Sequence, residues 1–421
     1  MNNNRNYPLL LGSQFLSAFG DNAILAVILG PLTFARAAGT ITEAQVNSAN
    51  ALYSAVFFIP FILLAPLAGF LNDRWPKTRW LLGGNMIKIL GTLFALVGLL
   101  MGSSWFALAY LIIGIGACVY SPAKYGILPE IVPVDRLVKA NGSVEMLTLV
   151  GILAGLGVGA ALIDHLSLTT CLVVVAGIYA VSLALNLAMT RTPENPDAQL
   201  SDSMSSFVIS LKQLLFHPRL GKVLLGCGMF WFIGATMRTN LQSWGLEVLN
   251  DGTGDVTNTR LISMKLWLAV GIIIGSVLVG QFHKTGDLRR TRLYSILIAI
   301  FIVPLAFINT GASFILITLV LAIIGVFAGM FLIPLNASLQ HESDHSKLGK
   351  TIAVQNFVDY LAMLIGAGFV MGATKLHGSL GPLSEKITAS HFVFLCLSIG
   401  LVFLTFLLRI PKLEAAEKMH K

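Results

Sequence analysis

The sequence predicts an all-α membrane protein of twelve transmembrane helices in two six-helix bundles. Three observations carry that expectation. Of the 421 residues, 56% are apolar and only 11% are charged, against about 25% charged in an ordinary soluble domain. The apolar residues fall in runs, and a helix needs ~20 such residues to cross the hydrocarbon core. One long polar stretch, residues 191–220, separates six runs from six others.

The runs place spans at about 9–35, 50–72, 79–101, 104–128, 137–163, 168–190, 221–247, 261–283, 290–309, 312–340, 349–375 and 388–410. The first run holds Asp21 and Asn22 and has no clear small-residue cleavage site, so it reads as a retained helix rather than a signal peptide. Orientation follows from the basic residues. With the N-terminus inside, the inner segments hold 21 of the 28 Lys and Arg and the outer loops hold 4, leaving Lys88, Arg238 and Lys265 within spans. That asymmetry puts both termini in the cytoplasm. The expected organisation is an N-terminal bundle over 1–190, a cytoplasmic linker over 191–220, and a C-terminal bundle over 221–421 with a short cytoplasmic tail.

The net charge of +8 does not point to nucleic acid, because the basic residues sit in short loops between apolar runs. Cys118, Cys171, Cys227 and Cys396 lie inside apolar runs without C-x-x-C spacing, which argues against a disulfide framework or a zinc site. No nucleotide-binding loop, G-x-S-x-G or H-E-x-x-H occurs. The expectation is therefore no catalytic set, no cofactor and no metal. His283, His341 and His345 lie in or beside loops, and His377 and His391 flank the last loop, where a solvated histidine is the default.

Six ionisable residues inside spans are the strongest chemical signal: Asp21, Lys88, Glu145, Arg238, Lys265 and Asp359. Each costs ~2.5–3.5 kcal/mol at the bilayer centre, so each should face a polar interior or a partner. Lys265, near the outer interface, can snorkel. Asp21 and Arg238 lie on the first spans of the two halves, and an Asp21–Arg238 pair would close one side of a central cavity. Gln14, Asn22, Asn85, Tyr120, Asn141, Asn240, Asn336, Gln355 and Asn356 add uncharged polar groups, for each of which interhelical bonding is the plainer role. The glycine-rich stretch from Gly151 to Gly159 reads as close helix packing.

The loop after the second span reads Gly69-x-Leu71-x-Asp73-Arg74-x-Pro76-Lys77-x-Arg79. It resembles the G-x-L-x-D-R-x-G-R-R loop of major facilitator transporters, with Pro76 in place of a glycine. Its physics is a tight turn at Gly69 and a carboxylate, Asp73, facing helix ends and basic groups. Gly69, Asp73 and Arg74 would thus form a conformational latch. Weak self-similarity fits the two-bundle fold, since Pro122 and Pro334 lie 212 residues apart in matching contexts. The repeat predicts two pseudo-symmetric bundles around one cavity.

Three longer blocks resemble the bacterial lysophospholipid transporters. They are Gln14-Phe15-Leu16-Ser17-Ala18-Phe19-Gly20-Asp21-Asn22-Ala23, then Tyr120-Ser121-Pro122-Ala123-Lys124-Tyr125-Gly126-Ile127-Leu128 with Leu137 to Gly142, then Pro334-Leu335-Asn336-Ala337 with Ile352 to Asn356. Asp359 stands where the family carries Glu, and Asn240, Gln242 and Ser243 make that span more polar than the pattern. The resemblance implies movement of lysophospholipids such as lysophosphatidylethanolamine from the outer to the inner leaflet of the inner membrane. There an acyltransferase–acyl-acyl carrier protein synthetase would reacylate them. The residues assigned to substrate contact are Asp21, Asn22, Lys88, Tyr120, Lys124, Glu145, Arg238, Asn240, Gln355, Asn356 and Asp359. The alternative is a proton-coupled exporter or symporter of a small amphipathic solute, with Asp21 or Asp359 as the proton carrier.

Overall fold

A computed structural model of the chain describes residues 5–41, 43–102, 105–195, 200–249, 258–309, 311–381 and 387–410. Pro196 of the linker and the tail from residue 411 lie outside them. The described residues are helical, without strands. In order the helices are α1 (Asn6–Ala37), α2 (Glu43–Leu63), α3 (Ala65–Arg74), α4 (Lys77–Leu100), α5 (Phe106–Gly126), α6 (Leu128–Ile131), α7 (Leu137–His165) and α8 (Leu168–Leu187). They continue with α9 (Leu200–Phe216), α10 (Leu220–Val248), α11 (Asn258–Phe282), α12 (Thr291–Ile302), α13 (Phe314–Glu342), α14 (Leu348–Gly378) and α15 (Ala389–Leu407).

Ten of these are long and apolar enough to cross a membrane: α1, α4, α5, α7, α8, α10, α11, α13, α14 and α15. The second span is broken rather than continuous. Part of α2 and all of α3 form one apolar pair bent by 57°. Pro66 stands at the start of α3, where it lacks the N–H owed to the turn before and its ring crowds that turn. With the broken pair taken as one, eleven spans pass by length and composition, and α12, running on through a 3-10 turn, Val303–Ala306, is a shorter apolar helix at the remaining expected position, consistent with twelve. The stretch 191–220 is less featureless than its polarity suggested, because it contains α9.

The described chain forms two compact units. The first comprises residues 1–134, 143–211 and 343–357. Its core joins Ile24, Val27 and Ile28 of α1 to Ala109, Tyr110 and Ile113 of α5 and to Leu172, Val175 and Tyr179 of α8. Helix α7 comes unusually close to α1. A Cβ on Gly151, Gly155 or Gly159 would lie 2.8, 2.3 or 2.6 Å from the carbonyl oxygens of Phe15, Phe19 and Ala23. Only glycine at every fourth residue allows that approach, which is the packing expected of this stretch.

The second unit comprises residues 135–142, 212–342 and 358–421. Its core is built from α10, α12, α13 and α15, with Trp244, Phe331 and Phe394 at its centre. Helices α11 and α13 meet through small residues. A Cβ on Gly271 or Gly275 would fall 2.0 Å from the carbonyl oxygen of Ala322 or Val326. The first turn of α7 belongs here. Asn141 and Gln340 exchange side-chain amide hydrogen bonds of 2.9 and 2.8 Å while both are buried. Arg219, at the foot of α10, grips Glu342 at the end of α13 with two nitrogens, at 2.6 and 2.8 Å, and donates to the Gly286 carbonyl at 2.9 Å.

Cys118, Cys171 and Cys227 are buried and Cys396 is half-buried, all as free thiols.

Candidate functional site

The polar interior of the first unit starts at Asp21. Polar residues recur every three or four positions on three apolar helices: Ser13, Ser17 and Asp21 on α1, Asn85, Lys88 and Thr92 on α4, and Tyr179, Ser182 and Asn186 on α8. That spacing puts each set on one helix face. Packing turns the three faces together, and Gly84 and Gly116 let α4 lie against α5. A Cβ on Gly84 would sit 2.8 Å from the Gly116 carbonyl oxygen, and one on Gly116 would sit 2.8 Å from Cγ of Lys88.

The result is a connected chain of hydrogen bonds. Lys88 Nζ donates to Asp21 Oδ2 and to Ser17 Oγ, each at 2.7 Å. Tyr179 donates to Asp21 Oδ1 at 2.7 Å. Ser17 donates to Asn85 Oδ1 at 2.9 Å, and Asn85 donates onward to Ser182 Oγ at 2.8 Å. Ser182 donates to the Ser13 carbonyl at 2.8 Å, and Ser13 Oγ meets the Tyr120 hydroxyl at 3.0 Å. The Lys88 ammonium also lies 5.2 and 5.7 Å from the ring centroids of Tyr120 and Tyr179, within cation–π range. Lys88 is 2% exposed and Asp21 13%.

One turn along α5 from Tyr120, Lys124 is buried with its ammonium 4.2 Å from the centroid of the Tyr125 ring. Tyr125 in turn donates to Glu145 Oε2 on α7 at 3.1 Å. Glu145 is the first acid whose charge acts on Lys124, without a direct ion-pair contact among the described residues. Beside it, Ser121 and Asn356 exchange hydrogen bonds of 3.4 and 3.1 Å. Asn22 turns back to its own helix, donating to the Ala18 carbonyl at 2.9 Å.

Asp21 and Arg238, expected as a pair, fall in different units. Both oxygens of Asp21 are taken by Lys88 and Tyr179, whereas Arg238 belongs to the second unit and is exposed there. Packing of α1 against α4 and α8 brings the Asp21 carboxylate to a cation of its own unit, Lys88. In the second unit, Asp359 is buried on α14. Asn240 donates to the Ser390 carbonyl at 2.8 Å, which ties α10 to α15. Lys265 hydrogen-bonds Gln242. Gln355 is buried in the first unit.

The loop motif also needs correction in one respect. Gly69 makes no tight turn: it lies within α3 and has no positive φ. It is needed for proximity, since a Cβ there would fall 2.9 Å from Cα of Lys350. Asp73 does face a helix end. Its two oxygens accept from the backbone N–H groups of Gly349 and Lys350 at 2.7 and 3.0 Å, satisfying donors that a helix start leaves open. Arg74 closes α3, and its carbonyl accepts from Asn195 N at 3.3 Å.

Two histidines read as solvated are not. His283 is buried with Nε2 at 2.7 Å from the Tyr294 hydroxyl, and His391 is buried at the start of α15. Sequence reasoning also passed over Tyr179, Ser182, Ser13, Ser17 and Tyr125. The spacing of Ser13 and Ser17 with Asp21, and of Tyr179 and Ser182 with Asn186, was the available signal for four of them.

The Major Facilitator Superfamily profile matches residues 10–367. Among curated proteins, the lysophospholipid transporter LplT of Photorhabdus laumondii subsp. laumondii is 36% identical over 382 residues, covering 88% of this chain and 89% of the relative. The protein of that name from Enterobacter sp. (strain 638) is 34% identical over 367 residues, covering 86% and 87%. Among solved structures, the human organic anion transporter MFSD10 superposes with a TM-score of 0.75 at 16% identity, covering 97% of this chain and 99% of that one. The transporter FucP in its outward conformation gives 0.70 at 17% identity, covering 95% and 97%. At such identities these two structures speak for the fold alone. The profile match and the curated relatives together place the family: the chain belongs to the major facilitator superfamily and, within it, to the lysophospholipid transporters.

Proposed function

We propose that this protein carries lysophospholipids across the bacterial inner membrane, from the outer to the inner leaflet, with both termini in the cytoplasm. The named relatives support the substrate, and the Lys and Arg asymmetry of the loops supports the orientation. A charged head group does not cross hydrocarbon unaided, because its polar atoms lose water without replacement. The protein must replace that water.

The observation that carries the reading is the state of Lys124. Its ammonium is buried and rests on an aromatic face, and its electrostatic partner Glu145 stays beyond direct ion-pair contact. Tyr125 meanwhile engages the nearest acid, Glu145. An anionic phosphate entering this site gains a charge-assisted hydrogen bond without displacing an existing ion pair. Glu145 and Asp21 supply negative charge for the ammonium of a zwitterionic head, and Lys88 supplies a second cation. Arg238, Asn240, Gln355, Asn356 and Asp359 complete the proposed substrate contacts, and Gly69, Asp73 and Arg74 the latch. The delivered lysolipid has a free hydroxyl, which an acyltransferase–acyl-acyl carrier protein synthetase would esterify.

The test is a leaflet-resolved assay. Protein in vesicles is given fluorescent lysophosphatidylethanolamine in one leaflet, and the fraction that resists extraction by albumin is followed, with and without a proton or sodium gradient. Faster protection than in protein-free vesicles is expected, and its loss in K124Q. Equal rates in protein-containing and empty vesicles overturn the proposal.

A further inference from the structure

A second polar cluster lies in the second unit, remote in sequence from the lysine-containing site. It joins the end of α10, the start of α15 and the segment following the 3-10 turn of α12. Glu247 Oε2 accepts from Thr388 Oγ1 at 2.6 Å and from Ser390 Oγ at 2.7 Å. Thr388 Oγ1 also lies 2.6 Å from His391 Nδ1. On the other side of the ring, His391 Nε2 lies 2.8 Å from the Ile308 carbonyl oxygen. Two longer contacts, Thr388 to Ser390 at 3.1 Å and Ser390 to His391 Nδ1 at 3.4 Å, close the group.

The hydrogens in this cluster can be counted. Four contacts are 2.8 Å or shorter, and each needs one proton between its two atoms. Thr388 and Ser390 supply one each, and a neutral imidazole supplies one more. Nε2 faces a carbonyl, which only accepts, so the imidazole proton is committed there. If both hydroxyls donate to the carboxylate, nothing remains for the contact between Nδ1 and Thr388. If Thr388 instead donates to Nδ1, its contact with Glu247 is empty. The geometry therefore requires a fourth proton, whether on the imidazole or on the carboxylate.

We propose that Glu247, Thr388, Ser390 and His391 form a binding site for one exchangeable proton, and that this proton ties three segments of the second unit together. The Lys and Arg asymmetry assigns this end to the outside of the membrane. Lysolipid uptake then responds to external pH. Glu247 is 39% exposed, which gives the proton a route to water, while His391 is 8% exposed. Loss of the proton leaves the cluster with a net negative charge and one empty short contact. Of the other titratable groups toward this end, Lys265 on α11 hydrogen-bonds Gln242, Arg238 on α10 is exposed, and two more are on α14. His377 Nε2 donates to the Ile387 carbonyl at 2.5 Å and its ring packs on Phe392, and Lys375 is exposed.

The test uses a built-in reporter. The buried indole of Trp244 packs 6.2 Å from the His391 ring, and a charged imidazole quenches indole emission more than a neutral one. Emission of the full-length protein in lipid nanodiscs is followed over roughly pH 5 to 8, the range in which histidines titrate. A single step is expected in the parent protein. It should be absent in W244F and H391Q, retained in H377Q, and displaced in midpoint in E247Q. No step in the parent, a step that survives in H391Q, or an unmoved midpoint in E247Q overturns the proton site. In the flipping assay, parent protein should differ in rate between the two ends of that pH range and H391Q should not. Equal parent rates overturn the regulatory role. The fluorescence arm stands whatever the substrate is, so its failure is separable from failure of the transport reading.

Discussion

Replacing Lys88 with Met removes the cation from a buried ion pair and leaves the Asp21 carboxylate with the Tyr179 hydroxyl as its hydrogen-bond donor. Lys88 and Asp21 are 2% and 13% exposed at a contact of 2.7 Å, so solvent does little to screen the loss. Stranding one member of such a pair costs ~3–5 kcal/mol. Asp21→Asn alone strands the ammonium and should cost a similar amount. The double variant D21N/K88M strands no charge, keeps an acceptor for Tyr179, and should fall within about 1–2 kcal/mol of the parent. The cycle therefore predicts a coupling energy of at least about 4 kcal/mol in favour of the pair. Reversible unfolding in mixed micelles by titration with dodecyl sulfate, read by tryptophan emission, measures all four corners. A K88M variant within about 1 kcal/mol of the parent, with coupling near zero, would refute the pairing.

The remaining predictions separate stability from transport. Lys124→Gln removes the cation that faces buried Glu145, so it should stop lysolipid flipping and also lower stability, and the double variant K124Q/E145Q should recover stability but not flipping; normal flipping in K124Q would reverse the assignment. Asp73→Asn removes an acceptor charge from two backbone donors, at a cost of about 1.5–3 kcal/mol. Hydrogen exchange at Gly349 and Lys350 should quicken while distant helices keep their protection. Gly69→Leu cannot place its side chain, since even a Cβ would sit 2.9 Å from the Lys350 backbone; flipping and exchange protection at α14 should both fall. Arg219→Lys loses the two-nitrogen grip on Glu342 and the Gly286 contact, and should cost roughly 1–3 kcal/mol by the same micelle titration.

The spans were legible because bilayer thickness sets the length of an apolar run, whatever the helix packs against. The break before Pro66 and the helix inside the linker were less so. One follows from a single missing N–H, and the other from an amphipathic pattern set among polar neighbours. At the site, the positions of Asp21, Lys88 and Glu145 were visible as costs that a lipid-facing side chain does not sustain. Which of them pair was not visible, because it depends on the rotation of α1 against α4 and α8 and on the close approach at Gly84 and Gly116. Gly69 shows the same division: the motif marks the residue, while the reason for it lies across the fold at Lys350. His391 was misread because a histidine beside a loop carries no mark of burial until Glu247, Thr388 and Ile308 are brought to it.

The four native thiols have a practical consequence. Three are enclosed by packed side chains and the fourth, Cys396, is half-buried within an apolar helix. A charged maleimide dissolved in water should find little to react with on the unaltered molecule. Single cysteines placed in the loops would then report which side of the bilayer each loop occupies against a dark background, without first stripping the chain of its own thiols.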